Sequence, residues 1–237
     1  MQIIITTKTS YTDVNLTPQT KYYYAVQAGD TGTPPDLSAL SQTVSATTYG
    51  YPTAPVIVSA TPVSSSKITI TWSAAGSGGL PISNYHVYGG TTPTSLTQLA
   101  VTTNLTYSNA SLKPNTTYYY AVQASDSGMD NSPMSGTVPA TTFPLPTTPS
   151  NVTCSATKST QIALAWQPST ANLPISYYYI LRGTSSNSLS QIGTTPKLTY
   201  NDNTVTPGVT YFYSIQSGDT ANDRSLTSAP VSCNTQP

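Results

Sequence analysis

Glutamate is absent from the 237 residues, and only 7% of the chain is charged, against about a quarter in ordinary soluble domains. Eight basic and eight acidic side chains cancel to a formal net charge of +0, which removes the electrostatic basis for binding nucleic acid or an anionic membrane. Histidine occurs once, as His86, and no partner in the sequence suggests a catalytic triad or a metal-ligand set around it. The eight acids are all Asp and most fall in turns, a poor match to the paired carboxylates of a glycosidase. No apolar run approaches the ~20 residues of a membrane helix. Met1-Gln2-Ile3-Ile4-Ile5 is too short, and lacks the charged start, for a signal peptide. Helical periodicity with caps is missing throughout. These absences argue against catalysis, a cofactor, a metal, a nucleic-acid partner and a membrane span.

Hydroxyls are abundant: Ser and Thr make up roughly a third of the chain. Few charges with many Ser, Thr, Pro and Asn residues also describe a mucin-like stalk. Against that reading, 18 Tyr, two Trp and regular Val/Ile/Leu alternation supply the apolar area of folded domains.

One phrase is written three times. Leu16-Thr17-Pro18-Gln19-Thr20-Lys21-Tyr22-Tyr23-Tyr24-Ala25-Val26-Gln27-Ala28 returns as Leu112-Lys113-Pro114-Asn115-Thr116-Thr117-Tyr118-Tyr119-Tyr120-Ala121-Val122-Gln123-Ala124, and more loosely from Val205 to Ser217. Equivalent tyrosines are 118 − 22 = 96 and 211 − 118 = 93 residues apart, about the length of one small β-sandwich. Within the middle copy, Ile68-Thr69-Ile70-Thr71-Trp72, Tyr85-His86-Val87 and Tyr118 to Val122 alternate apolar with polar residues, as antiparallel strands with one wet face do. Turn formers separate them at Gly76-Ser77-Gly78-Gly79, Gly89-Gly90, Lys113-Pro114-Asn115 and Ser127 to Asn131. The expected fold class is all-β.

These residues resemble the fibronectin type III family, especially the Thr- and Tyr-rich versions in secreted bacterial and archaeal proteins. The family expects a Trp on its second strand, matched by Trp72 and Trp166, and a Leu-x-Pro-x-Thr-x-Tyr corner before its sixth strand. That corner is matched by Leu16/Pro18/Thr20/Tyr22 and Leu112/Pro114/Thr116/Tyr118, while the third copy keeps Pro207 and Tyr211 but has Val205 and Val209. The resemblance implies tandem immunoglobulin-like sandwiches in a linear rod. At each corner a Tyr hydroxyl reaches back to upstream backbone while its ring joins the core. Parity then sends Tyr22, Tyr24, Val26 and Ala28 inward, with Tyr118, Tyr120, Val122, Tyr211, Tyr213 and Ile215 in the other copies.

The expected units are a partial domain over residues 1–48 and whole domains over 53–142 and 147–237. Gln2 to Tyr11 aligns with Gln98 to Tyr107 and Gln191 to Tyr200, so the first unit lacks three opening strands and a core Trp. Two explanations stand. The sequence is a piece of a longer array with Met1 as a predicted or engineered start, or another chain donates the missing strands. The first is favoured, because no spare donor segment is evident. Proline-rich linkers, Thr48 to Pro52 and Phe143 to Pro149, imply semi-rigid joints.

In the family's sandwich the ends of the first and last strands lie near one pole. Cys154 and Cys233 fall there in the third unit, so a disulfide and an oxidising, extracellular or cell-surface home are expected, two buried thiols being the alternative. Asn15, Asn104, Asn109, Asn115 and Asn151 head Asn-x-Ser/Thr triplets and are candidate glycosylation sites, although chance yields many such triplets in this composition. Asp30, Asp126 and Asp219 recur after the sixth strand, each followed by a second acid at Asp36, Asp130 or Asp223. They cap turns or bind Ca²⁺ weakly. Tyr23, Tyr119, Tyr177 and Phe212 point outward, as a stacking stripe for sugars or as ordinary strand aromatics.

The function read from the sequence is a non-catalytic extracellular rod or fibre subunit, partnered by neighbouring domains, copies of itself or glycans. The alternative is the spacer or carbohydrate-binding accessory region of a secreted polysaccharide-degrading enzyme.

Overall fold

A computed structural model of the chain describes residues 3–235; Met1, the expected start, lies outside the described residues with Gln2, Gln236 and Pro237. Every regular element among the described residues is a strand. The middle unit holds β3 (Ile57–Ser64), β4 (Lys67–Trp72), β5 (Ile82–Thr92), β6 (Ser95–Thr102), β7 (Thr106–Asn109), β8 (Thr117–Asp126) and β9 (Val138–Thr141). The third holds β10 (Ser150–Lys158), β11 (Gln161–Gln167), β12 (Ile175–Ser185), β13 (Ser188–Thr195), β14 (Thr199–Asp202), β15 (Thr210–Asp219) and β16 (Val231–Asn234). Each of these two units stacks a three-stranded sheet on a four-stranded one: β3-β4-β7 on β6-β5-β8-β9, and β10-β11-β14 on β13-β12-β15-β16. All pairings are antiparallel.

Alternation in the sequence becomes alternation in burial. Along β4, Ile68, Ile70 and Trp72 are buried while Lys67, Thr69 and Thr71 face outward. Trp72 meets Tyr85 edge-on at 5.8 Å, and Trp166 meets Tyr178 at 5.4 Å, geometries that suit the ring quadrupole. Tyr118 packs on the same cluster as Trp72, and Tyr211 belongs to the cluster of Trp166. Tyr120, Val122, Tyr213 and Ile215 are fully buried, each contributing on the order of 1.5–3 kcal/mol through burial.

The first unit behaves differently. Its strands are β1 (Lys21–Tyr24) and β2 (Val44–Thr47), joined in a two-stranded sheet. Tyr22 and Tyr24 are half-buried, but Val26, expected inward, is 74% exposed, and Ile5, Leu40 and Val44 are 86%, 66% and 65% exposed. Residues 3–20, aligned by sequence with β6 and β7, form no strand. The reason is pairing: β6 lies on β5 and β7 on β4, and the first unit has no counterpart of β4 or β5 among the described residues.

Candidate functional site

The three corners share one construction. Tyr22, Tyr118 and Tyr211 accept at their hydroxyls the N–H of the residue five positions upstream: Thr17 at 2.9 Å, Lys113 at 3.0 Å and Thr206 at 3.2 Å. A threonine beyond the last strand completes it. Thr142 donates its hydroxyl to the Lys113 carbonyl at 2.6 Å and accepts the Thr116 N–H at 3.0 Å. Thr48 does the same with Thr17 and Thr20, and Thr235 with Thr206 and Val209. The tyrosine half was legible from the sequence. The threonine half lies 26 or 28 residues from the N–H it accepts, just past the unit's last strand, and only alignment of all three copies would have flagged it.

Serines hold the chain as it returns toward the last strand. Ser132 and Ser135 accept the N–H groups of Ala124 and Val122, both at 2.9 Å, while their own N–H groups donate to the same two residues' carbonyls. The third unit repeats this with Ser225 on Ser217 and Ser228 on Ile215, and the first with Ser38 on Ala28 and Ser41 on Val26. A glutamine braces each: Gln27, Gln123 and Gln216 donate to the carbonyls of Ser38, Ser132 and Ser225. Hydroxyls thus satisfy backbone that a regular strand would otherwise pair.

The recurring aspartates cap their own loops. Asp30 Oδ1 accepts the N–H groups of Gly32 and Asp36, Asp126 those of Gly128 and Asp130, and Asp219 those of Ala221 and Asp223, all between 2.9 and 3.0 Å. For Asp30 these two backbone bonds hold the carboxyl below its usual range. Among the described residues no group of three or more His, Cys, Asp or Glu gathers as a metal would require, and no helix is long and apolar enough to cross a membrane.

Cys154 and Cys233 are joined in a disulfide, with Cα atoms 6.1 Å apart, tying β10 to β16. The third unit also buries an ion pair: Arg182 Nη1 donates to Asp202 Oδ2 at 2.7 Å, and the carboxylate is 1% exposed. His86 lies on the outer face of β5, half-buried, with Nδ1 at 3.2 Å from Gln98 Oε1.

Asn15, Asn115 and Asn151 sit at exposed positions with positive φ of 60°, 48° and 50°, and Asn104 is exposed in the turn before β7. Asn109 is half-buried, its Nδ2 donating to the Tyr120 hydroxyl at 3.1 Å. The outward aromatics are dispersed. Tyr23 and Tyr177 are exposed, Tyr119 and Phe212 half-buried. On the third unit, Tyr177 pairs with Gly218 and Phe212 with Gly183, opposite ends of the β12–β15 ladder and roughly 20 Å apart.

Residues 53–140 match the family model of the fibronectin type III domain. Over 97% of its length the chain is 33% identical to Exoglucanase B of Cellulomonas fimi, of which it spans 22%. It is 39% identical over 65% of its length to Endoglucanase B of Cellulomonas fimi, spanning 15% of that protein. It is 26% identical over 94% of its length to Chitinase A1 of Niallia circulans, spanning 30%. The chain therefore covers less than a third of each of these relatives. Strand order, core tryptophan, corner and the family match converge: residues 53–140 are a fibronectin type III domain, whose strand order the third unit repeats.

Proposed function

We propose that this chain is the non-catalytic spacer region of a secreted polysaccharide-degrading enzyme, holding a catalytic domain at a set distance from other modules. The observation that carries this reading is the alignment of nearly the whole chain with glucanases and a chitinase, of which it covers only a minor part. Three features support it. The loop aspartates are engaged by their own backbone, the cores are filled by rings, and linkers such as Phe143 to Pro149 are stiffened by proline. The Cys154–Cys233 disulfide supports an extracellular home, since such bonds persist in oxidising compartments. The fibre-subunit reading of the sequence is the weaker one, because the relatives named above carry enzyme names.

The test has two arms. Sequencing the coding region around this segment is expected to reveal a domain carrying the paired carboxylates of a glycoside hydrolase. The purified chain is expected to release no reducing sugar from cellulose or chitin. Sugar release by the chain alone, or an uninterrupted run of further sandwich units ending in a surface anchor, would overturn the proposal.

A further inference from the structure

The turn between β3 and β4 and the loop after β15 belong to different units, and they meet. Ser64 pairs with Lys67 across the turn, which leaves the N–H groups of Ser65 and Ser66 outside the ladder. The Ser64 hydroxyl accepts the Ser66 N–H at 3.1 Å. The Ser65 N–H instead donates to Asp223 Oδ2 at 2.5 Å, across 158 residues of chain. Both residues are buried there, Ser65 at 2% and Asp223 at 9% exposure. An orphan N–H at that depth costs free energy, and a carboxylate is its strongest protein acceptor.

The linker reinforces the meeting. Phe143 N–H donates to the Ser64 carbonyl at 3.3 Å, and the Ser217 hydroxyl donates to the Thr147 carbonyl at 3.1 Å.

The middle unit supplies an internal control. Asp130 stands where Asp223 does, since 223 − 93 = 130, and its loop has the same backbone: Asp126 Oδ1 accepts the Asp130 N–H at 3.0 Å, as Asp219 accepts that of Asp223 at 3.0 Å. Yet the Asp130 side chain is exposed, and among the described residues its carboxylate accepts no hydrogen bond. The loop folds identically without the contact. Burial of Asp223 therefore belongs to the junction and not to the unit.

We infer that Asp223 is a latch between units. Its carboxylate takes the free N–H at the apex of the preceding unit's first hairpin and fixes the middle and third units at one angle. The partner that this socket fits is a two-residue hairpin turn with an unpaired apical N–H. This goes beyond the spacer function proposed above and stands whether or not the chain belongs to an enzyme.

The experiment uses the whole ¹⁵N-labelled chain. Amide hydrogen exchange at Ser65 and residual dipolar couplings of the two units are compared in wild type, Asp223→Asn, Asp223→Ser and Asp130→Asn. Wild type is expected to show slow exchange at Ser65 and one alignment tensor for both units. Asp223→Ser is expected to raise Ser65 exchange by about tenfold or more and to split the tensors, with Asp223→Asn intermediate. Asp130→Asn is expected to change neither. Unaltered Ser65 exchange in Asp223→Ser, or two independent tensors in wild type, would overturn the latch. Unfolding of the third unit in both Asp223 variants would do so equally, by placing the residue in the unit's own core.

Discussion

Tyr213 donates its hydroxyl hydrogen to Asp202 at 2.9 Å, at the position where Tyr120 accepts from Asn109 and Tyr24 donates to Asp13. One tyrosine–Asx contact thus recurs in three units and two chemical versions, and the third unit adds a cation, Arg182, where the middle unit has Gly89.

The added charge makes the third unit pH-sensitive. Burial pushes the Asp202 carboxyl upward, but hydrogen bonds from Thr204, Arg182 and Tyr213 outweigh it and hold the group below the ordinary carboxylate range. A lowered folded value means that stabilisation is complete above the unfolded value of about 3.9 and is lost as pH falls below it. Tyr213 runs the other way: burial first, then the neighbouring carboxylate, raise its hydroxyl, so its contribution is complete below about pH 10 and is lost as pH rises beyond. Calorimetry should show the third unit's transition falling relative to the middle unit's below about pH 4. Asp202→Asn should cost about 2 kcal/mol at neutral pH by leaving Arg182 unpaired. The double variant Arg182→Gly/Asp202→Asn, which copies the middle unit, should cost less than the sum of its parts.

Removing the disulfide should affect one unit. Cys154 and Cys233 close a loop of 79 residues, for which chain entropy predicts about 4 kcal/mol. Ala60 and Ala140 occupy the same places in the middle unit, packed in its core without a covalent tie. Reduction should lower the urea midpoint of the third unit and leave the middle one in place. Equal shifts in both would contradict the assignment.

Thr142→Val keeps side-chain shape and removes the hydroxyl that serves the Lys113 carbonyl and the Thr116 N–H. Thr142 is 1% exposed, so water cannot fully replace those bonds, and the middle unit should lose roughly 1–3 kcal/mol. Thr48→Val, at a half-buried corner, should lose less. Urea unfolding followed unit by unit checks both.

Gly78 is required by a close approach. A Cβ there would lie 1.9 Å from the carbonyl oxygen of Gly50 and 2.3 Å from its carbon, both backbone atoms. Gly78→Ala should therefore break the 2.8 Å bond from Gly50 N–H to the Gly78 carbonyl and raise exchange at the Gly50 amide. Gly136→Ala, with nothing within 4 Å, should leave that amide protected.

The sandwich cores were legible because burial writes itself into the sequence with a period of two, as at Ile68, Ile70 and Trp72, and because the corner motif is contiguous. The serine and threonine contacts were not. Thr142 acts across 26 residues and Asp223 across 158, and a hydroxyl that accepts a backbone hydrogen looks in sequence like any solvent-facing Ser or Thr. Inward placement of Val26 failed for a related reason. Parity assigns a side to a residue, but the opposing sheet that makes the side an interior is supplied from elsewhere.

The returning segments are held by alcohols, and this decides how the fold meets its surroundings. Ser132, Ser135, Ser225 and Ser228 carry no charge for dissolved ions to shield, and none that acid or base could remove. Those segments should keep their arrangement from brine to nearly pure water, leaving the few ionisable side chains, such as Asp202 and Tyr213, as the places where the medium can act.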